Sequence, residues 1–367
     1  MIDIQYFVDY YNDFPFLVKL VWIVSGLMFS AIILLTIYLK VIRYYLRKKD
    51  KEFTKFKNEY EALLVEYLYA DIESEEFNKE QQAIILKIKD HILFKNKRKM
   101  IISILYNLMN EVSGEMADSI KTLYYKTGLI DYALTRLKNK NWYIIAKGIG
   151  ELTRFTVADV HDDVIKFIKH PKREVRKETQ LYLVSLYHFE GLSFLNELKE
   201  PLSEWDQVQL LEILQKLDDQ EICDIRPWLR STNDTVVLFA LKLSQIYNQF
   251  EVKDSLMDLL SHQNKSIRIY VIEVLTHLYG IEAKDKLKAN FNDLSIEEQI
   301  SFFGLLEKLV IPSDEPFIEK HLFHKNFEIQ LLALKILKSI NIDKFMGLNN
   351  LPTHKKSPAM LKLEKIA

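Results

Sequence analysis

Twenty consecutive residues, Leu20 to Leu39, carry no charge, and a cluster of Lys and Arg begins at Lys40. At about 1.5 Å per residue, a helix of that length matches a hydrocarbon core of roughly 30 Å. The run therefore reads as one membrane-spanning helix, placed at residues 17–40, rather than as a buried core helix. Asp3, Asp9 and Asp13 precede it, while Lys40, Arg43, Arg47, Lys48, Lys49 and Lys51 follow it. Positive residues stay on the cytoplasmic side. This predicts a short extracytoplasmic segment, 1–16, a single inward crossing of the cytoplasmic membrane, and a large cytoplasmic remainder. A cleaved signal peptide wants a basic start, a shorter apolar run and a small-residue cleavage site. This run has an acidic approach and ends in Tyr38-Leu39-Lys40. Trp22 and Tyr38 lie near its two ends, where amphipathic rings favour the headgroup level.

The rest of the chain has the composition of a helix-rich body. Only 9 Gly and 8 Pro occur in 367 residues, so turn formers are scarce, and 50 basic against 51 acidic residues provide no general attraction to nucleic acid. The lone cysteine, Cys223, cannot form an internal disulfide and reads as a small buried hydrophobe in a helix.

From residue 41 to about 70 the chain lacks Gly and Pro and places Phe53, Phe56, Tyr60, Leu63, Leu64, Tyr67 and Leu68 at helical spacing. This predicts a juxtamembrane amphipathic helix continuing from the span, whose apolar face caps the first of the following units. Ser74 with Glu75 and Glu76 reads as the start of the next helix. Segments 82–112 and 115–139 also have helical periodicity, and residues 82–130 are taken as degenerate leading repeats.

Over 131–345 the chain repeats itself. Anchors at Trp142, Val175, Asp206, Val236, Ile267, Glu298 and Ile329 are 30 to 33 residues apart. Eleven residues before the last six anchors come Val164, Leu195, Ile225, Leu256, Leu287 and Ile318, all apolar. Four and eight residues after the anchors, mostly small or aliphatic residues fall on one helical face. Each unit is expected to be two antiparallel helices joined by a polar turn such as His170-Pro171-Lys172 or His262-Gln263-Asn264-Lys265. Asp206 and Glu298 depart from the apolar anchor, and Gly150 and Ser244 from the leucine eight residues on.

The segments Glu174-Val175-Arg176-Lys177-Glu178-Thr179 and Ser266-Ile267-Arg268-Ile269-Tyr270-Val271 resemble the apolar-Arg-x-x-x-small signature of the HEAT repeat family, in its short form of about thirty residues also found in the phycobilisome-lyase type. The resemblance implies an all-α fold, here a single transmembrane helix followed by a HEAT-like α-solenoid, with a long face open to partners. It implies a scaffold or adaptor that binds a protein partner at the cytoplasmic face of the membrane. The layout is similar to that of bacterial HEAT proteins accompanying membrane glycosyltransferases. The phycobilisome-lyase likeness implies, as an alternative, a lyase acting on a chromophore or small ligand, and a signalling adaptor is a further alternative.

No catalytic, cofactor-binding or metal-binding set emerges. His161-Asp162-Asp163 sits in a polar connection, where the two carboxylates read as caps for a helix starting near Val164. His321 and His324 share a helical face without a third ligand. Phosphate loops, dinucleotide fingerprints and Cys-x-x-Cys pairs do not occur. The candidate docking residues are Lys172, Arg173, Arg176 and Lys177, a basic cluster diluted by Asp162, Asp163, Glu174 and Glu178 and lacking the aromatic stripe that nucleic acid needs. The partner is therefore expected to be a protein. The tail, 347–367, is rich in turn formers and is expected to be flexible.

Deletion of residues 1–45 should release the protein from membranes as a soluble fragment with strongly helical circular dichroism. Recovery of aggregate alone would sink the independent repeat body.

Overall fold

Phe16 to Tyr69 form one unbroken helix, α1, of 54 residues and roughly 80 Å. The computed structural model describes residues 15–69, 75–216, 222–349 and 358–366, and every regular element among them is helical. They divide into two compact units, one ending at Thr135 and the other starting at Arg136. Ser74 and the expected segment 1–16, except its last two residues, lie outside the described residues.

In the first unit, α1 is joined by α2 (Glu75–Ile92), α3 (Lys95–Glu111), α4 (Glu115–Lys126) and α5 (Leu129–Leu137), the last of which crosses the division between units. The first half of α1 is bare: Leu20, Val21, Trp22, Ile23, Leu27, Met28, Phe29 and the apolar residues on to Leu46, half-buried Ile42 excepted, are exposed. Its inner half is amphipathic. Tyr60, Leu64 and Tyr67 are buried where α1 packs on α2 and α3. Of the apolar face expected over 41–70, Tyr60, Leu64 and Tyr67 are covered by the helices that follow, Phe56, Leu63 and Leu68 are half-buried, and Phe53 is exposed. Phe56 stacks on Tyr60 with ring centroids 4.3 Å apart, and the Tyr60 hydroxyl is hydrogen-bonded to His91 Nδ1. Burial pushes the Tyr60 hydroxyl up to about 12 and lowers His91, so the neutral ring is the acceptor and the phenol the donor. The turns before α4 and α5 are made by Gly114 (φ 61°) and Gly128 (φ 76°), a left-handed backbone that a Cβ disfavours.

In the second unit a short element and a long helix alternate. The long helices are α6 (Trp142–Arg154), α8 (Arg173–Tyr187), α9 (Glu204–Leu214), α11 (Asp234–Ile246), α13 (Lys265–His277), α15 (Ile296–Leu309) and α17 (Phe327–Ile340). The short α-helical members are α7 (His161–Val164), α10 (Arg226–Leu229), α12 (Lys253–Leu259), α14 (Ala283–Ala289) and α16 (Glu315–Lys320), while residues 165–169 and 190–197 are 3₁₀ coils. The first member of each pair is thus much shorter than the expected full helix. The long helices pack in succession, α6 on α8, α8 on α9, α11 on α13, α13 on α15 and α15 on α17. Val164, Leu195, Ile225, Leu256, Leu287 and Ile318 are all buried beneath them.

The first anchor needs correction. In the later long helices the anchor is the third residue, which in α6 is Ile144 rather than Trp142. Ile144 lies 31 residues before Val175, and the residues four and eight further on are Gly148 and Leu152, both buried. Trp142 is 39% exposed. Gly150 therefore replaces no leucine. It lies against α8, where a Cβ would come within 2.9 Å of the Glu178 carboxylate. Ser244 does hold the leucine position, buried, with its hydroxyl donated to the Ala240 carbonyl.

Asp206 and Glu298 do not disturb the packing. Both follow a serine by three residues, and Ser203 and Ser295 cap their helices, the latter in a complete capping box. In α11, α13 and α17 the cap is Asn233, Asn264 or Asn326 and the anchor is apolar. Each acidic anchor also receives an arginine from the preceding long helix. Arg173 donates to Asp206 at 2.7 Å, and Arg268 reaches Glu298 through two nitrogens at 2.6 and 3.2 Å. Burial by itself would raise the Glu298 carboxyl, but Arg268 and Ser295 hold it below the ordinary value. At their far ends several long helices stop on a left-handed residue, Thr156, Asn248 or Tyr279, and the next residue's N–H donates five positions back to Leu152, Ser244 or Leu275.

Three further expectations change. Cys223 lies outside any helix, half-buried, 3.7 Å from the Phe189 carbonyl, with its thiol pushed up by burial. Asp162 and Asp163 stand inside the first turn of α7, whose cap position is Val160, and Asp163 pairs with Lys166 at 2.8 Å. The tail expected to be flexible carries α18 (Ile342–Asn349) and α19 (Pro358–Ile366). The latter packs on α17, burying Ala359 and Met360, because a last repeat leaves one apolar face to cover.

Arg268→Ala should strand the buried Glu298 carboxylate and cost roughly 3 kcal/mol or more in denaturant unfolding. The depressed Glu298 carboxyl contributes stability that is complete above its ordinary value of 4.5 and is lost as pH falls below it. Glu298→Gln should therefore be less stable at pH 7 but lose less stability on acidification, as read by melting curves across that range.

Candidate partner-docking surface

The basic cluster surrounds the turn that enters α8. His170 Nδ1 accepts the Lys172 backbone N–H at 3.1 Å, closing the turn. The same bond recurs at His262 with Asn264 and at His324 with Asn326, each histidine five residues before its anchor. Arg176, one residue past the anchor, donates to the carbonyls of His170 and Pro171 at 2.9 and 3.1 Å. Arg268 does the same to His262 and Gln263 at 2.7 and 3.0 Å. Arg176 and Arg268 are thus clamps on their own turns.

The four candidate residues separate accordingly. Arg176 is half-buried and committed to the turn. Arg173 is more than half exposed but gives its guanidinium to Ser203 and Asp206. Lys172 is exposed, and Lys177 is half-buried, acting on Asp206 through charge alone. Arg173, Arg176 and Lys177 line a small cavity of about 20 Å³ with Gln180 and Asp206. Asp206 Oδ1 is buried and without a hydrogen-bond partner among the described protein atoms, and the cavity its residue lines is large enough for one water.

Beside this cavity lies a wider cleft of about 1170 Å³. Its floor is Ile165, Leu183, Phe194 and Leu198, and its rim carries Lys169, Arg176, Lys199, Glu197 and Glu200. It opens where the short members of two pairs are 3₁₀ coils. Lys169 and Glu197 pair at 2.7 Å, both largely exposed. Sequence reasoning found the cations but not this cleft, since the 3₁₀ coils that form it carry the same apolar spacing as short helices.

The candidate histidines do other work. The His161 ring meets Tyr187 edge-on, and His321 Nδ1 is bonded to the Phe317 carbonyl at 2.8 Å among Phe291, Phe303 and Phe317. Burial lowers His321, keeping the ring neutral. Among the described residues no three His, Cys, Asp or Glu side chains gather as a metal set.

No family model and no curated protein matches this chain. Solved structures do. An engineered protein is similar at 11% identity and TM-score 0.35, covering 83% of this chain and 97% of its own. A second engineered protein, at 13% and 0.23, covers 70% and 96%. The tumor overexpressed gene domain arrays of microtubule polymerases, studied for tubulin recruitment and assembly, stand at 13% and 0.23, covering 82% and 79%.

Arg176→Ala should lower stability by about 1–3 kcal/mol, since it removes two charge-assisted bonds to turn carbonyls. Lys172→Ala should leave the melting temperature unchanged, and paired thermal melts read the contrast.

Proposed function

We propose that this chain is a single-pass, membrane-anchored scaffold whose HEAT-like solenoid holds a protein partner at the cytoplasmic face of the bilayer. The observation that carries the reading is the bare half of α1. Its most apolar 18-residue window has a mean hydropathy of 2.5, and none of that window is buried. A soluble helix so apolar would be covered by its own fold. The acidic residues before the run and the basic ones after it favour an inward crossing.

The repeated pairs support a binding role. Their side chains at each turn are spent on one another, and the Asp206, Glu298 and His321 environments serve packing and capping. A one-dimensional stack offers extended surface, and a tether raises the effective concentration of whatever docks there. The cleft beside α8, with an apolar floor and a charged rim, suits a protein segment carrying both apolar and charged side chains. A membrane glycosyltransferase or another membrane complex is the partner class that the chain's layout implies.

The test is a mild-detergent pull-down of the full-length protein from its native membrane, alongside the variant Lys172→Glu/Lys177→Glu, with mass spectrometry of what co-elutes. These two positions leave the Arg176 clamp and the Arg173–Asp206 pair in place. One dominant partner that is lost in the variant is the expected result. A partner retained at equal yield would remove this surface from the proposal, and no enrichment from either protein would overturn the scaffold.

A further inference from the structure

The turn between α2 and α3 presents two large apolar side chains to solvent, Leu93 at 70% and Phe94 at 61% exposure. Lys89 and Asp90 precede them in the chain, and Lys95, Lys97 and Lys99 follow them. Lys97 Nζ lies 5.4 Å from the centre of the Phe94 ring. Arg98, by contrast, is occupied, donating to the Ile92 carbonyl at 2.8 Å and stacked 3.8 Å over Tyr132. Leu93 and Phe94 sit past the buried end of α2 and contribute nothing to the core, which begins again at Ile101.

Where this turn points follows from the helix pairing. Gln81 reaches Tyr67, Lys87 pairs with Glu59, and His91 is bonded to Tyr60 and faces Phe56. Partners on α1 descend as α2 ascends, so α2 runs antiparallel to α1 and back toward its apolar half. Continued to Phe94, that register falls level with about Phe53. The exposed apolar run of α1 ends at Leu46, with Tyr44 and Tyr45 beside it. Tyrosines favour the headgroup layer, and Lys40 and Arg43 can extend their charges to it from lower on the helix. From Leu46 to Phe53 the rise is roughly 10 Å, more than the roughly 5–8 Å headgroup layer on one side of the core, so the turn reaches that layer through a tilt of α1, which an apolar run longer than the core favours.

We infer that the Leu93-Phe94 turn is a second membrane contact, with its apolar tip in the interfacial layer of an anionic bilayer and its lysines at the phosphates. Resting on the anchored reading of α1, the inference adds to it a fixed height and orientation for the first unit, since two attachments restrict tilt where one helix does not. Lysines near an anionic surface contribute to such docking in proportion to their number. The basic stretch Arg47 to Lys51 faces the same layer from α1.

The test uses the full chain in nanodiscs of phosphatidylcholine mixed with phosphatidylglycerol. In a Cys223→Ser background, Phe94→Cys carries an environment-sensitive nitrobenzoxadiazole label, and Leu27→Cys in a second protein carries the same label at mid-span. Blue-shifted emission at position 94 with quenching by brominated lipid is expected. A water-like label at 94 with a lipid-quenched label at 27 would overturn the second contact and leave the anchor standing. Absence of lipid quenching at 27 would overturn both. A label at 94 shielded from aqueous iodide and from brominated lipid alike would assign the turn to a protein surface instead. Lys95→Glu/Lys97→Glu/Lys99→Glu should abolish the blue shift, each lost lysine lowering partition about five-fold. An unchanged shift would overturn the anionic-surface assignment.

Discussion

The orphan N–H groups at the start of each long helix govern the second unit, because helices can bury their apolar faces against one another only if the polar ends between them are satisfied. The chain meets that condition with a small repeated kit. In α9, α11, α13, α15 and α17 a Ser or Asn accepts from the first turn, a His or Ser two residues before the cap position closes the turns entering α8, α11, α13 and α17, and in α8 and α13 an Arg one position past the anchor ties down the preceding carbonyls. With those groups paired, Val175, Val236, Ile267 and Ile329 are free to be fully buried.

Charge enters the core under the same rule. Asp206, Glu298 and Asp314 are buried carboxylates, and each has a basic partner, Arg173, Arg268 or Lys284 with Lys288. Replacing such a pair by apolar residues is often neutral, whereas removing one partner is costly. Their worth here is therefore best read as register: Arg173 and Asp206, Arg268 and Glu298, and Lys284 and Asp314 each join one repeat to the next, so a slipped stack would strand a charge. The basic residues of the turn entering α8 belong to this framework in two cases of four, and Lys172 and Lys177 remain as the cations oriented outward or only loosely engaged.

The first unit solves a different problem. One helix passes from a bare apolar stretch into a packed bundle without a break, so the element that would enter a membrane is also the element on which α2 and α3 assemble. Tyr60 and its neighbours make that junction rigid through ring stacking and a buried hydrogen bond to a neutral histidine. No hinge separates the two halves of α1, and the orientation of its apolar half is transmitted directly to the turn at Leu93.

Much of this was legible in the sequence because it is local or periodic. The charge-free run from Leu20, the helical content, the repeat of about 31 residues and the apolar positions eleven before and four and eight after each anchor all follow from spacing, which the geometry of a helix converts directly into faces. Asp206 and Glu298 read in the sequence only as departures from an apolar anchor, and the structure shows each to sit three residues after a capping serine. Other features required tertiary structure. Trp142 competes with Ile144 as an anchor until the start of α6 and the burial of Gly148 and Leu152 decide between them, and Arg176 looks like a free cation until the carbonyls of its own turn fold back onto it. The 3₁₀ coils that open the cleft, and α19 covering the end of α17, depend on which neighbour supplies an apolar face. Spacing along a chain determines which side of a helix is apolar, but what that side meets is decided only when distant segments compete to cover it.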